Sequence, residues 1–201
     1  MKIYDDISLV IVNTLYLLAL INPISKVAVL SALPPERRNM LQRISFSASV
    51  VGAMILLGAM LFGVFILNKV FRVELYALQA AAGLVLASVG FNALRRGVFF
   101  EQPDTDEFSN VALVPLACPL IAGPATITAA ITLRASVGLT EATISIVLAV
   151  AINYLIMRAS RFISQWLTKF NLMGAIIRIT GLVVMTMGMQ ALLDGLRIWW
   201  K

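Results

Sequence analysis

Long apolar stretches alternate with short polar ones along the whole chain, and this pattern predicts helices that cross a membrane. Each apolar stretch is close to the ~20 residues that a helix needs to span a hydrocarbon core of ~30 Å. Helices are expected because backbone in lipid must satisfy its own hydrogen bonds, and the alternation typical of barrel strands is absent. The sequence therefore predicts one all-α integral membrane domain over residues 1–201. Its six predicted spans are Ile7–Leu33, Ile44–Leu67, Val73–Leu94, Val111–Leu133, Ala142–Met157 and Gly174–Leu196.

The composition agrees with this class and also predicts an orientation. The chain is 60% hydrophobic and only 13% charged, whereas a soluble domain carries about 25% charged residues. Its net charge of +6 comes largely from basic pairs beside the spans, such as Arg37 with Arg38 and Arg95 with Arg96. That distribution is typical of cytoplasmic loops and lacks the aromatic platforms that bind bases, so we expect a lipid bilayer and no nucleic acid as a partner. If the N-terminus lies outside the cell, nine lysines and arginines fall on the cytoplasmic side and six fall outside. Because cytoplasmic loops carry an excess of these residues, we expect both termini to lie outside the cell.

A repeated motif divides the chain into two halves. Gly83–Gly97 reads GLVLASVGFNALRRG and Gly181–Gly195 reads GLVVMTMGMQALLDG, with seven of fifteen positions identical. We interpret this as a duplication, with repeat one at residues 1–100 and repeat two at residues 108–201. Convergent small-residue packing between helices is the alternative. Since each half carries three predicted spans, the second half enters the membrane from the opposite side, as an inverted-topology repeat.

The first span of each half contains a proline that is expected to break the helix. Leu20–Ser25 aligns with Ile121–Thr126, so that Asn22-Pro23 corresponds to Gly123-Pro124. Proline lacks the backbone donor and its ring clashes with the preceding turn. A broken helix exposes carbonyl groups at the end of one half and amide groups at the start of the next, and these ends attract cations and anions respectively. Two matched breaks in inverted halves are the sequence indication of a solute site near the bilayer midplane.

The candidate binding residues lie at these breaks or form a matched pair elsewhere. Each could instead serve helix packing: a proline can simply kink a helix, a hydroxyl can cap one, and an amide can bond between helices. Lys26 has two interpretations, because it either faces a substrate carboxylate or extends to the interface, only about five apolar residues away. The predicted binding residues are Asn22, Pro23, Ser25, Lys26, Gly123, Pro124, Thr126, Thr128, Asn92 and Gln190.

Several kinds of chemistry are not expected from this sequence. The chain contains no histidine and a single cysteine, so it has neither a Ser–His or Cys–His dyad nor a His-based zinc motif. None of its ten carboxylates lies in the middle of an apolar span. We therefore expect no enzymatic activity, no catalytic residue, no metal and no cofactor.

Two motifs resemble the paired signatures of the MarC family of membrane proteins. They are the Asn-Pro within Leu20–Ser25 and the run VPLACPLIAGPATIT over Val114–Thr128. The resemblance covers essentially the whole chain. It implies a multi-pass plasma-membrane protein of a bacterium or archaeon, similar to relatives that transport small neutral amino acids such as alanine and glycine. The chain departs from the family at Ser25-Lys26, where relatives often carry a glycine and an uncharged polar residue.

Two hypotheses of function follow from the breaks, the repeat and the resemblance. The first is a secondary transporter of small neutral amino acids, driven by a sodium or proton gradient and working by alternating access of the two halves. The second is a non-transporting scaffold or sensor that acts through a partner, which predicts helices packed tightly around both breaks. A homo-oligomer is compatible with either hypothesis.

Overall fold

Helices make up most of the residues that the structure, a computed structural model, describes: 2–31, 41–99, 121–170 and 172–200. No strand occurs within these ranges. The predicted all-α class is thus confirmed. The helices are α1 (Lys2–Ile21), α2 (Pro23–Ser31), α3 (Leu41–Phe65, continued by a π-helical turn over Ile66–Phe71), α4 (Leu75–Arg96), α5 (Pro124–Val137), α6 (Leu139–Arg158), α7 (Ser160–Lys169) and α8 (Met173–Trp199).

Four of these helices are long and apolar enough to cross a bilayer. They correspond to the second, third, fifth and sixth predicted spans. At 1.5 Å of rise per residue, about 20 residues cover the hydrocarbon core, and each of the four has at least that length. The spanning stretches are Gln42–Phe71, Leu75–Arg96, Leu139–Arg158 and Met173–Trp199.

The two remaining predicted spans are the interrupted ones. The first divides at Asn22 into α1 and α2, and Ile7–Ile21 alone is apolar but shorter than a full crossing. Of the fourth predicted span, Val111–Leu133, the part before Ile121 lies outside the described residues. Its described part begins without helical structure and becomes helical at Pro124.

Helices α1 and α5 each pack against a continuous helix. Helix α1 packs on α6, α5 packs on α3, and α3 and α6 also contact each other. Buried side chains such as Leu17, Leu56, Ile121 and Ile146 form the core that joins these four helices.

Helices α4 and α8 form a closely packed antiparallel pair. Gly83 and Gly188 face each other across the pair, and so do Gly90 and Gly181, nearer the other end. A Cβ atom at Gly83 would lie 2.6 Å from the carbonyl oxygen of Gly188. Glycine is therefore required at these crossings, because the two backbones approach without room for a side chain.

Helix α7 lies between the fifth and sixth predicted spans, where no apolar run indicates a helix. Phe162 and Trp166 are exposed at a spacing of four residues, and Phe170 continues the row just past the helix end. Leu167 faces inward, and the helix packs on α2. An amphipathic helix with aromatic and basic residues is typical of the bilayer interface.

Candidate functional site

The break in the first span is built by Asn22. Its φ of 56° is left-handed, a conformation that asparagine adopts more readily than most residues. The Ser25 amide donates to Asn22 Oδ1 at 3.4 Å, and the Ser25 hydroxyl donates to the Asn22 carbonyl oxygen at 2.7 Å. Pro23 fits the first position of α2, where no backbone donor is needed. Asn22 thus ends α1 and caps α2, and it is buried.

Lys26 neither extends to the interface nor lines the cavity described below. Its side chain is fully buried. The ammonium group donates to the carbonyl oxygen of Ile21 and, at 3.3 Å, to that of Asn22. The Ile21 carbonyl lies in the last turn of α1, where the helix dipole is negative, and Asn22 directly follows that turn. Lys26 therefore holds the broken end of α1.

At the second predicted break, the described residues 121–123 are not helical, and α5 follows them. Gly123 is extended, with φ −74° and ψ 169°, and Pro124 opens α5. The Thr126 hydroxyl lies 2.9 Å from the carbonyl oxygens of both Ile121 and Gly123, so its one proton is shared between two acceptors. Thr126 is buried, as Asn22 is. Both breaks therefore combine a proline at the helix start with a polar side chain that bonds to the unwound backbone.

One cavity of about 130 Å³ is lined by both breaks. Ile21, Asn22 and Ser25 contribute one side, and Gly123–Thr126 contributes another. Its remaining walls are apolar and include Val89, Phe99 and Val184. Because α2 and α5 both start here, their amide ends add positive potential to a small, mostly apolar pocket.

The structure does not bring the matched pair Asn92 and Gln190 to this cavity. Both side chains are exposed on the outer faces of α4 and α8. Gln190 donates to Asp194 Oδ1 at 3.0 Å, one turn along its own helix.

A second cavity, of about 230 Å³, adjoins the first. Four side chains line both cavities: Leu20, Ala82, Leu86 and Ala125. Thr128, a predicted binding residue, lies in the second cavity and not in the first. Sequence reasoning did not predict this cavity, although Thr128, Thr132 and Ser136 follow each other at intervals of four residues, which places them on one face of α5.

These features define an integral membrane protein whose apolar helical bundle holds a cavity between the break of the first span and the start of α5. The family model described as MarC family integral membrane protein matches residues 7–200. The chain thus belongs to the MarC family, and the resemblance seen in its motifs is confirmed.

Curated relatives come from both archaea and bacteria. A UPF0056 membrane protein of Pyrococcus horikoshii is 34% identical over 184 residues, covering 91% of each chain. UPF0056 membrane proteins of Aquifex aeolicus and Bacillus subtilis are each 28% identical over 194 residues, covering about nine tenths of both chains. No solved structure matches the chain.

Proposed function

We propose that this protein is a secondary transporter of small neutral amino acids in the plasma membrane, working by alternating access of two inverted halves. The observation that carries the proposal is the cavity shared by the two breaks. Discontinuous helices that meet inside a bundle are the usual way in which transporters present backbone groups to a solute.

The inverted repeat is supported by paired contacts between α4 and α8. Equivalent residues of the repeated motif differ by 98 in number. The Gly83–Gly188 contact therefore has Gly181–Gly90 as its counterpart, and a Cβ at Gly181 would lie 3.0 Å from the Gly90 carbonyl oxygen. Likewise, Gly90 contacts Met185, and Gly188 contacts Ala87. Each contact thus occurs twice, with the equivalent residues of α4 and α8 interchanged. A two-fold axis in the membrane plane that relates the two helices would produce such pairs of contacts.

The interrupted helices follow the same relation. Under the duplication, the α2–α6 contact corresponds to the α5–α3 contact, and both are present. With α1–α2 counted as one crossing and α5 as the end of another, the bundle would have six crossings. An even number places both termini on one side, which the loop charges assign to the outside.

The cavity suits a small zwitterion. The amide ends of α2 and α5 favour a carboxylate. Asn22 Oδ1 and the lone pairs of Thr126 Oγ1 accept hydrogen bonds, which an ammonium group donates. A volume of about 130 Å³ with Val89, Phe99 and Val184 in its walls leaves room for a short side chain only. Alanine and glycine match these limits.

The decisive experiment measures uptake of labelled alanine and glycine by reconstituted vesicles, under an imposed sodium or proton gradient. We expect Asn22→Ala to abolish the flux, because alanine keeps neither the cap of α2 nor an easy left-handed backbone. Thr126→Val should reduce it strongly, because valine keeps the shape and loses the hydroxyl. Thr143→Val is the matched control, since the Thr143 hydroxyl bonds to Leu139 on its own helix and to Met60 on α3, and Thr143 lines neither cavity.

Equal flux in Asn22→Ala and the unaltered protein would contradict the assigned site. No flux of any amino acid in sealed, correctly oriented vesicles would favour the non-transporting scaffold or sensor. The gradient that accelerates uptake identifies the coupling ion.

A further inference from the structure

The second cavity lies entirely on the side of the bundle that holds the chain termini. Asn13, Tyr16 and Leu20 precede the break on α1, while Thr128, Thr132 and Ser136 follow the break on α5. Because α1 runs towards the break and α5 runs away from it, both sets of residues lie between the break and the same membrane surface. Gln79 on α4 and Ala191 on α8 lie on this side as well.

The lining offers hydrogen-bonding groups that the protein leaves available. The hydroxyls of Thr128, Thr132 and Ser136 donate to carbonyl oxygens of Pro124, Thr128 and Leu133, at 2.8, 2.9 and 3.1 Å. The lone pairs of these hydroxyl oxygens remain available to accept hydrogen bonds from water or a solute in the cavity. Across the cavity, the buried Nδ2 of Asn13 has no hydrogen-bond partner among the described residues. A buried donor without a partner costs free energy unless water or a solute bonds to it.

The cavity is also large enough for water. About 10–15 Å³ of such space holds one water molecule, and this cavity measures about 230 Å³. Leu20, Ala82, Leu86 and Ala125, the residues that line both cavities, form an apolar neck between this space and the break cavity. On the far side of the breaks, Lys26, Val27 and Leu30 are fully buried or nearly so.

We propose that the second cavity is a hydrated access route, through which a small zwitterionic solute reaches the break cavity from the side of the termini. The structure then represents the state that is open towards that side and closed by Lys26, Val27 and Leu30 on the other. This inference rests on the proposed transport function for its solute. Its physical content, water in the cavity, is testable without any transport.

Cysteine accessibility tests the route in a Cys118→Ser background, which leaves no native thiol. Thr132→Cys, Asn13→Cys and Gln79→Cys line the cavity, so each should react with a membrane-impermeant, positively charged methanethiosulfonate. Val12→Cys is the matched control on α1, since Val12 is next to Asn13 but 62% exposed on the outer face. Leu17→Cys, in the dry core, is the second control. Because only the thiolate reacts and apolar surroundings suppress it, we expect the cavity positions to react at least about tenfold faster.

Reaction should occur only from the side on which a cysteine appended after Lys201 is also modified. Two cavity variants that fold and remain as unreactive as Val12→Cys would overturn the route, and so would reaction from the opposite side alone. Measuring alanine flux in the same vesicles separates this proposal from the proposed function. Unreactive cysteines with intact flux refute the route only, whereas reactive cysteines without flux refute transport only. Where flux is present, modification of Thr132→Cys should block it.

Discussion

Lys26 is the residue whose role depends most on the surrounding structure. An intramembrane lysine is costly unless its ammonium group finds acceptors. Here the acceptors are the carbonyl oxygen of Ile21, which the break of the first span leaves without a helical donor, and that of Asn22, which also accepts from the Ser25 hydroxyl. The break and the lysine therefore stabilise each other: the two carbonyls accept from the side-chain amino group, and the amino group gives the Ile21 carbonyl a donor.

Replacing this lysine should destabilise the break. Lys26→Met keeps a long side chain but leaves the buried Ile21 carbonyl without the lysine donor, at a cost of about 1–3 kcal/mol. For a chain of this length, that cost lowers Tm by roughly 2–4 °C per kcal/mol. Thermal unfolding in detergent measures the change. Lys169→Met is the control, because Lys169 is exposed on α7. A Tm equal to that of the unaltered protein would show that Lys26 does not hold the end of α1.

At this scale, the sequence predicted the breaks better than the side chains around them. Asn22-Pro23 and Gly123-Pro124 could be identified because a proline cannot donate within a helix, wherever that helix lies. The direction of Lys26 could not, since a stem that can reach the interface can equally turn back on its own helix. Asn92 and Gln190 occupy equivalent positions of the repeated motif, but helical periodicity does not say which face of a helix meets the bundle.

At the scale of elements, helices α4 and α8 make the most extensive contact between any two described helices. Their spacing is set by glycines that occupy equivalent positions in the two copies of the motif. A Cβ at Gly188 would lie 2.7 Å from the Gly83 carbonyl oxygen and 2.9 Å from Ala87 Cα. Both are backbone atoms, so the strain cannot be relieved by a change of rotamer.

We expect Gly188→Ala to destabilise the protein, because the two helices must separate or shift to admit the methyl group. Overpacking of this kind costs about 1–3 kcal/mol. Gly58→Ala is a control of opposite sign, since a Cβ at Gly58 meets nothing within 4 Å and alanine favours the helix by about 0.5–1 kcal/mol. Thermal unfolding of both variants tests the contact. Equal Tm values for the two would contradict it.

The predicted elements differ in how strongly the sequence indicates them. The four continuous helices were found because a run of about 20 apolar residues is rare outside membrane spans. Helix α7 was missed, because its ten residues divide between a polar and an apolar face and no apolar run marks it. The π-helical turn over Ile66–Phe71 has a composition similar to the helix before it, so hydropathy could not separate the two.

At the scale of the whole molecule, the duplication that we propose predicts a second conformation. If the two halves exchange their arrangements, the access route closes and a related route opens on the opposite side. The Ser25–Thr126 correspondence has an offset of 101, which makes Val27 the counterpart of Thr128. Thr128 lines the present route, whereas Val27 is 1% exposed in the closed region. The two positions should therefore exchange their access to water.

This exchange can be measured with single cysteines in the Cys118→Ser background. Without substrate, Thr128→Cys should react with an impermeant thiol reagent from the side of the termini, and Val27→Cys should not react from either side. During turnover with saturating alanine, Val27→Cys should become reactive from the opposite side while Thr128→Cys becomes less so. Leu56→Cys is the control for both states, because Leu56 is fully buried and lines neither cavity. If Val27→Cys stays unreactive while its vesicles accumulate alanine, the solute crosses by another path and the halves do not exchange. The reciprocal result is expected because, in an inverted repeat, whatever opens one half to water must close its counterpart.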